Sequence, residues 1–277
     1  MPSQLQQAWT EWNWAPSILL GMALFVGGYL AATGPLRSHF KDSQPVSRGQ
    51  KAWFLAGSAL ILFALISPLD EVGDSFLFSA HMIQHLLIAL IAPPLLLIGT
   101  PGWLIRPVIS KPLAGNVFRF LTLPVVAFFL GNGVYLAWHF PALYEAALNN
   151  ENVHIIEHLS FIAAGVINWW PVLSPLPDFN KLPPLARVVY LFLDGLPTTI
   201  LSALITFSTT PLYPTYAAAG KLLGIDAVMD QQAAGMIMWM PGGMTYLVAL
   251  TIVFFKWQSE EEKLDKTRNV DSPVPGR

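Results

Sequence analysis

The sequence predicts an all-α membrane protein with seven transmembrane helices, its N-terminus outside and its C-terminus in the cytoplasm. Of 277 residues, 54% are hydrophobic and only 12% are charged, whereas soluble domains carry about 25% charged residues. The mean hydropathy is +0.51. Seven apolar stretches approach the roughly 20 residues that cross a bilayer as a helix. These stretches are 16–34, 52–68, 76–98, 118–138, 153–173, 186–208 and 231–255.

The chain is expected to form one membrane domain and a short tail. Residues 1–257 contain all seven apolar stretches, and residues 258–277 are charged and predicted to be a disordered cytoplasmic tail. A net charge of −2 argues against a nucleic-acid partner. The sequence has no cysteine, which excludes disulfides, iron–sulfur clusters and thiolate metal ligands. Any metal must be bound by nitrogen, oxygen or methionine sulfur.

The loops between the apolar stretches differ in charge on the two sides of the membrane. Loops 35–51, 99–118 and 174–187 contain most of the lysines and arginines. The opposite loops contain carboxylates and a single base, Lys221; these carboxylates are Asp70, Glu71, Asp74, Glu145, Glu151, Asp226 and Asp230. Because basic loops stay in the cytoplasm, this asymmetry predicts the orientation stated above.

Five of the six histidines are expected to meet near the outer face of the membrane. His81 and His85 open the third span, His154 and His158 open the fifth, and His139 ends the fourth. Each pair has i,i+4 spacing, which places both rings on one face of a helix. Imidazole is costly in lipid but binds transition metals well. The pattern therefore predicts a metal site inside the helix bundle.

Other polar and sulfur-containing side chains are expected at the same depth. Met236 is a candidate soft ligand for Cu⁺, although methionine also fills gaps in apolar cores. Four residues are candidates to support the metal-binding imidazoles through hydrogen bonds. These are Glu157, Asp230, Gln84 and Asp70. Two structural alternatives stay open: histidines bonded to neighbouring helices, or histidines lining a hydrated outer vestibule.

Six short segments carry a resemblance to a known family. They are 67–70 (SPLD), 81–85 (HMIQH), 138–144 (WHFPALY), 154–158 (HIIEH), 169–171 (WWP) and 230–235 (DQQAAG). In this order they resemble the seven-span CtaG family of cytochrome c oxidase assembly factors, over roughly residues 50–257. The resemblance implies a multi-pass protein of the bacterial cytoplasmic membrane that is not an enzyme. It also implies a role in forming the copper centre of oxidase subunit I.

The leading hypothesis is a copper-handling assembly factor embedded in the lipid bilayer. Copper, as Cu⁺, would be bound by the histidines of spans 3 and 5, with His139 and Met236 as auxiliary ligands, and zinc is the alternative metal. Its partners would be oxidase subunit I and other copper chaperones. Two alternatives stay open: an intramembrane zinc hydrolase with Glu157 or Asp230 as base, and a b-type haem protein with two axial histidines.

Overall fold

The computed structural model describes residues 4–271, with side chains described as far as residue 263. Every regular element in that range is helical, which confirms the all-α prediction. The α-helices are α1 (Gln4–Ala8), α2 (Pro16–Thr33), α3 (Arg48–Ile66), α4 (Pro68–Ser75), α5 (Phe78–His85), α6 (Ala92–Gly99), α7 (Gly102–Ile109), α8 (Pro112–Leu121), α9 (Pro124–Trp138), α10 (Pro141–Leu148), α11 (Glu151–Leu173), α12 (Pro184–Phe207), α13 (Pro214–Leu223) and α14 (Ala227–Asp271).

Six stretches of the described chain are long and apolar enough to cross a membrane. They are α2, α3, Phe78–Gly99, α11, α12 and the Ala227–Lys263 part of α14. The predicted fourth span, 118–138, is instead a bent pair, because α8 and α9 meet at 72°. Pro124 opens α9 and leaves Leu123 extended, which breaks the helix there. The described chain has a seventh span only if α8 and α9 together cross the membrane.

The charged C-terminal segment continues the last helix. The sequence predicts a disordered tail over 258–277, but α14 extends to Asp271. Glutamate, lysine and glutamine are good helix formers, so a helix that leaves the membrane can continue through them. The indole N–H of Trp257 donates to Glu261 one turn later, at 3.2 Å. Residues 272–277 lie outside the described part of the chain.

Three short helices close one end of the bundle, which we call the histidine end. Each of α4, α10 and α13 joins two consecutive long helices there, and each begins at a proline. Helix α4 folds back closely on α5, since a Cβ atom on Gly73 would lie 3.0 Å from the Cα of His81. The hydroxyl of Tyr216 in α13 donates to the Gly73 carbonyl at 2.8 Å. Helix α4 is therefore held against the start of α5.

A π-helical segment, Leu86–Ile91, follows α5 directly. Pro93 and Pro94 come just after it and cannot donate backbone hydrogen bonds to the preceding turn. A wider helical turn accommodates that loss, and π-helical turns occur frequently at functional sites. In this chain the π-helical segment begins at the residue after His85.

A buried carboxylate joins three long helices through hydrogen bonds. Asp194 in α12 is 1% exposed. Its two oxygens accept side-chain N–H groups from Asn132 in α9 and Asn168 in α11, each at 2.6 Å. The hydroxyl of Tyr190 donates to the Asn168 carbonyl at 2.9 Å. These bonds satisfy a polar group that would otherwise be costly inside a membrane.

Candidate metal centre

The two histidine pairs lie face to face on α5 and α11. The ring centroids are 4.1 Å apart within each pair, as the i,i+4 spacing predicts. Between the helices, the ring of His81 lies 5.7 Å from His154 and the ring of His85 lies 5.6 Å from His158. His81, His85 and His158 are buried, and His154 is 14% exposed. The four imidazoles form one cluster between two helices.

A carboxylate lies among these imidazoles. Each of His81, His154, Glu157 and His158 offers one ligand atom, and all four atoms lie within 4.8 Å of one another. We call these four residues the quartet. A tetrahedral ion with bonds of about 2.0–2.1 Å needs donors about 3.3 Å apart, so small side-chain rotations are sufficient. The sequence predicts Glu157 as a supporting residue beside the ligands, and in the structure one of its carboxylate oxygens lies among the histidine nitrogens.

Several donor atoms in and around the quartet lack hydrogen-bond partners. The buried Nε2 atoms of His139, His154 and His158 have none, and neither do the two carboxylate oxygens of Glu157. Buried polar atoms in proteins are almost always hydrogen-bonded, because an unpaired one costs free energy. A cation bound by these atoms would satisfy them together. The residues present therefore fit a metal ion with nitrogen and oxygen ligands.

His85 and His139 border the quartet on the side of α9. The Nε2 atom of His85 lies 2.6 Å from Nε2 of His81 and 3.7 Å from Oε1 of Glu157. His139 follows the last residue of α9, and its Nδ1 lies 2.7 Å from the Tyr135 carbonyl. Its ring is 5.9 Å from that of His85. An Nδ1–H bond to that carbonyl directs a free Nε2 lone pair away from α9.

Asp74 at the end of α4 contacts two of the imidazoles, and sequence reasoning missed it. Its Oδ1 lies 3.2 Å from Nδ1 of His81, and its Oδ2 lies 3.3 Å from Nδ1 of His154. Burial raises the pKa of Asp74 to about 6, and the charge of His154 opposes that increase. The only sequence signal was the position of Asp74 in an acidic loop before His81. The contacts exist because α4 folds back on α5.

Asp70 and Gln84 form hydrogen bonds between helices. None of the hydrogen bonds described joins either residue to a histidine. The Gln84 amide donates to Asp70 at 2.6 Å and to the Ala64 carbonyl at 3.0 Å. Asn13 donates to the other oxygen of Asp70 at 3.0 Å. Burial raises the pKa of Asp70 to about 7, and the nearby charge of Asp74 adds to the shift. These two residues fix the position of α4 over α5.

Asp230 and Met236 lie on α14. Asp230 accepts hydrogen bonds from the backbone amide of Phe78 at 2.7 Å and from the hydroxyl of Ser79. It therefore holds the start of α5. Met236 is 39% exposed, whereas Met238 is buried in an aromatic cluster that includes Phe78. The ligand role predicted for Met236 remains a prediction.

Tyrosines enclose the histidine cluster at the histidine end. The ring of Tyr144 in α10 lies 5.3 Å from that of His81, and its hydroxyl lies 3.0 Å from the hydroxyl of Tyr216. The hydroxyl of Tyr213 donates to the carbonyl of His139 at 2.8 Å. All three tyrosines are buried. They limit the access of water to the imidazoles and hold α10 and α13 over the site.

Two mycobacterial proteins illustrate the relatives of this chain. An uncharacterized protein of Mycobacterium leprae is 25% identical over 292 residues, covering 98% of this chain and 43% of the relative. An uncharacterized protein of Mycobacterium bovis is 24% identical over 289 residues, with the same coverage. The chain thus spans less than half the length of these relatives. No solved structure matches it.

The family comparison covers most of the chain. Residues 27–260 match the family described as cytochrome c oxidase caa3 assembly factor (Caa3_CtaG). The matched range includes the quartet, His85, His139 and Asp74. It also includes the helices that close the histidine end. The chain therefore belongs to the cytochrome c oxidase caa3 assembly factor family.

Proposed function

We propose that this protein is a non-catalytic assembly factor that binds a copper ion at the histidine end and delivers it to subunit I of cytochrome c oxidase. Family membership supports the link to oxidase assembly. The observation that supports metal binding is the meeting of the quartet donor atoms within 4.8 Å, with the Nε2 atoms of His154 and His158 unpaired. Copper is the cargo, which the protein binds and releases.

Three considerations favour copper as the ion that is bound and delivered. Imidazole nitrogen is a good ligand for copper, and the sequence offers no thiolate that would hold the ion more firmly. His85 and His139 lie beside the quartet and can accept the ion by ligand exchange as it leaves. Transfer within the bilayer also avoids moving a charge across the hydrocarbon core. The partners are oxidase subunit I and other copper chaperones, in the bacterial cytoplasmic membrane.

Copper binding is tested on the full chain purified in detergent. We expect about one Cu⁺ per chain, and a His81→Ala/His158→Ala double variant should lose at least tenfold in affinity in competition with a chelator. His39→Ala is the matched control, because His39 lies in a short helix, Arg37–His39, outside the cluster. In cells, the double variant should leave the oxidase deficient in copper. Unchanged copper binding in the double variant would refute the site.

Glu157 supports a second candidate, a zinc hydrolase. Three histidines and a carboxylate form a common zinc site, and a water replacing one ligand becomes a nucleophile. Metal analysis of the purified protein separates the two functions. Zinc together with hydrolytic activity supports the hydrolase, and copper without turnover supports the assembly factor. A colourless preparation excludes the b-type haem alternative, because haem absorbs visible light.

A further inference from the structure

A cleft opens between α2 and the rest of the bundle, in the half of the molecule that carries the basic loops. Its volume is about 430 Å³, within the roughly 300–1,000 Å³ of typical ligand pockets. One face of α2 forms one wall, with residues spaced i, i+3, i+4 and i+7: Phe25, Gly28, Tyr29 and Ala32. Residues of α3, α6, α7, α8 and the second half of α11 form the other walls. The cleft is therefore separate from the histidine cluster.

The polar side chains that line the cleft already donate to backbone carbonyls. The hydroxyls of Tyr29 and Thr100 each donate to a carbonyl of α6, at 2.8 and 2.7 Å. The indole N–H of Trp170 donates to the carbonyl of Phe179 at 3.0 Å. The other side chains of the walls are apolar. The walls therefore offer contacts to hydrocarbon and leave no side-chain hydrogen-bond donor for a polar ligand.

The size and the chemistry of the cleft favour a flexible hydrocarbon chain as its occupant. Water is disfavoured, because apolar walls give it no hydrogen-bond partners. A transmembrane helix is about 10–12 Å across with its side chains and needs far more space than this volume offers. A b-type haem needs histidine ligands, and the residues that line the cleft include none. A lipid acyl chain meets none of these obstacles and is present throughout the bilayer.

Cationic side chains adjoin the cleft. Arg106 and Arg119 each follow a residue that lines it. Arg106 pairs with the exposed Asp178 at 3.2 Å, and the guanidinium of Arg119 lies 4.5 Å from the centre of the Phe179 ring. Among the residues that the structure describes, no carboxylate lies within 4.0 Å of Arg119. Because guanidinium groups bind phosphate oxygens well, Arg119 is complementary to the phosphate of a lipid whose chain enters the cleft.

We propose that this cleft binds an acyl chain of an anionic phospholipid from the surrounding bilayer, with the headgroup beside Arg119. Basic pockets between transmembrane helices bind the headgroups of anionic lipids. The chain fills the space between α2 and the helices opposite, so its dispersion contacts stabilise the packing of α2 against the bundle. This inference is independent of copper binding, because the cleft shares no residue with the histidine cluster.

Two neighbouring glycines of α2 provide a matched pair of variants. Gly28 lines the cleft and Gly27 does not, and a Cβ atom on either residue would meet no atom within 4 Å. Leucine also favours a helix more than glycine does, so both variants should fold. In Gly28→Leu the new side chain occupies the cleft and displaces the acyl chain. In Gly27→Leu it lies on the exposed surface of α2.

Lipid binding is measured on the full chain purified in a neutral detergent, by native mass spectrometry and by the melting temperature. The wild type and Gly27→Leu should retain phosphatidylglycerol. Added phosphatidylglycerol should raise their melting temperatures, because a ligand that binds only the folded state stabilises it. Gly28→Leu should lose both effects. Equal retention in Gly28→Leu, or equal loss in both glycine variants, would overturn the proposal.

The headgroup is tested with other lipids and with charge variants. Zwitterionic phosphatidylcholine should bind more weakly than phosphatidylglycerol, and Arg119→Gln should weaken phosphatidylglycerol binding by about fivefold. Lys41→Gln removes an exposed charge from another basic loop and should leave binding unchanged. Equal binding of phosphatidylcholine contradicts the proposal. So does an equal rise in melting temperature with glycerol phosphate, which has no acyl chain, or retention of an isoprenoid lipid or a second copy of the chain in place of the phospholipid.

Discussion

The carboxylate of Asp230, in the first turn of α14, accepts a hydrogen bond of 2.7 Å from the backbone N–H of Phe78, the first residue of α5. The N–H groups at the start of a helix have no partner within it and carry partial positive charge. A carboxylate from a different helix satisfies them here. Helix α14 thereby holds the start of the helix that carries His81 and His85, without contacting either ring in any interaction described.

Replacing Asp230 with alanine should destabilise the protein and loosen the start of α5. Loss of a carboxylate that caps a helix costs about 1–2 kcal/mol, so the melting temperature in detergent should fall. Hydrogen exchange should accelerate at the amides of Phe78 and Ser79. Asp226→Ala is the comparison, because Asp226 caps the start of α14 itself through the amides of Val228 and Met229. Faster exchange at α5 in both variants would contradict this role for Asp230.

Replacing Asp194 with asparagine should weaken the fold although the side chain keeps its shape. The Asp194 carboxylate accepts N–H groups from both Asn132 and Asn168. An amide can accept through only one of its two terminal atoms, so one donor loses its acceptor at a cost of about 1–3 kcal/mol. The free energy of unfolding, measured by denaturant titration, checks this.

The same substitution at Asp178 is the control for Asp194. Asp178 pairs with Arg106 at 3.2 Å, but the two side chains are 62% and 53% exposed. Solvent screens such pairs, which contribute at most about 1 kcal/mol. Asp178→Asn should therefore leave the free energy of unfolding nearly unchanged. Equal losses in the two variants would mean that the Asp194 network contributes no more than a surface ion pair.

A side chain at position 73 should disturb the histidine cluster, although Gly73 is not one of its members. A Cβ atom there would lie 3.0 Å from both the N and the Cα of His81, so α4 must move away from α5. The 3.2 Å contact between Asp74 and His81 would lengthen as α4 shifts. We expect Gly73→Ala to reduce metal affinity several-fold, measured by chelator competition. Gly133→Ala should leave it unchanged, since a Cβ on Gly133 meets no atom within 4 Å.

The orientation in the membrane can be measured with single cysteines, because the natural sequence contains none. Glu71 and Lys41 are both exposed and lie at opposite ends of the bundle. If the basic loops are cytoplasmic, Glu71→Cys should react with a membrane-impermeant maleimide in intact spheroplasts, and Lys41→Cys only after lysis. The reverse pattern would place the histidine end in the cytoplasm. Copper would then have to reach the site from inside.

The two histidine pairs with i,i+4 spacing could be predicted from the sequence, whereas the contacts between different helices could not. The spacing of His81 and His85, and of His154 and His158, follows from 3.6 residues per turn, and the rings lie 4.1 Å apart in both pairs. The predicted fourth span contains a 72° bend between α8 and α9, because Pro124 breaks the helix there, and the apolar composition of residues 118–138 does not reveal such a bend. The position of Asp74 beside His81 and His154 was not predicted, because these contacts depend on how α4 folds back on α5.

The order of residues along the chain is sufficient to predict a helical protein that is apolar enough for a membrane, and to predict which histidines share a helix face. Helical periodicity and hydrophobicity are local properties, readable from neighbouring residues. Three relationships became visible only in the folded chain: Glu157 lies among the imidazole nitrogens, His139 lies beside His85, and Asp74 contacts two rings. These relationships depend on how α4, α9 and α11 pack against α5, and packing is set by side chains that are distant in sequence.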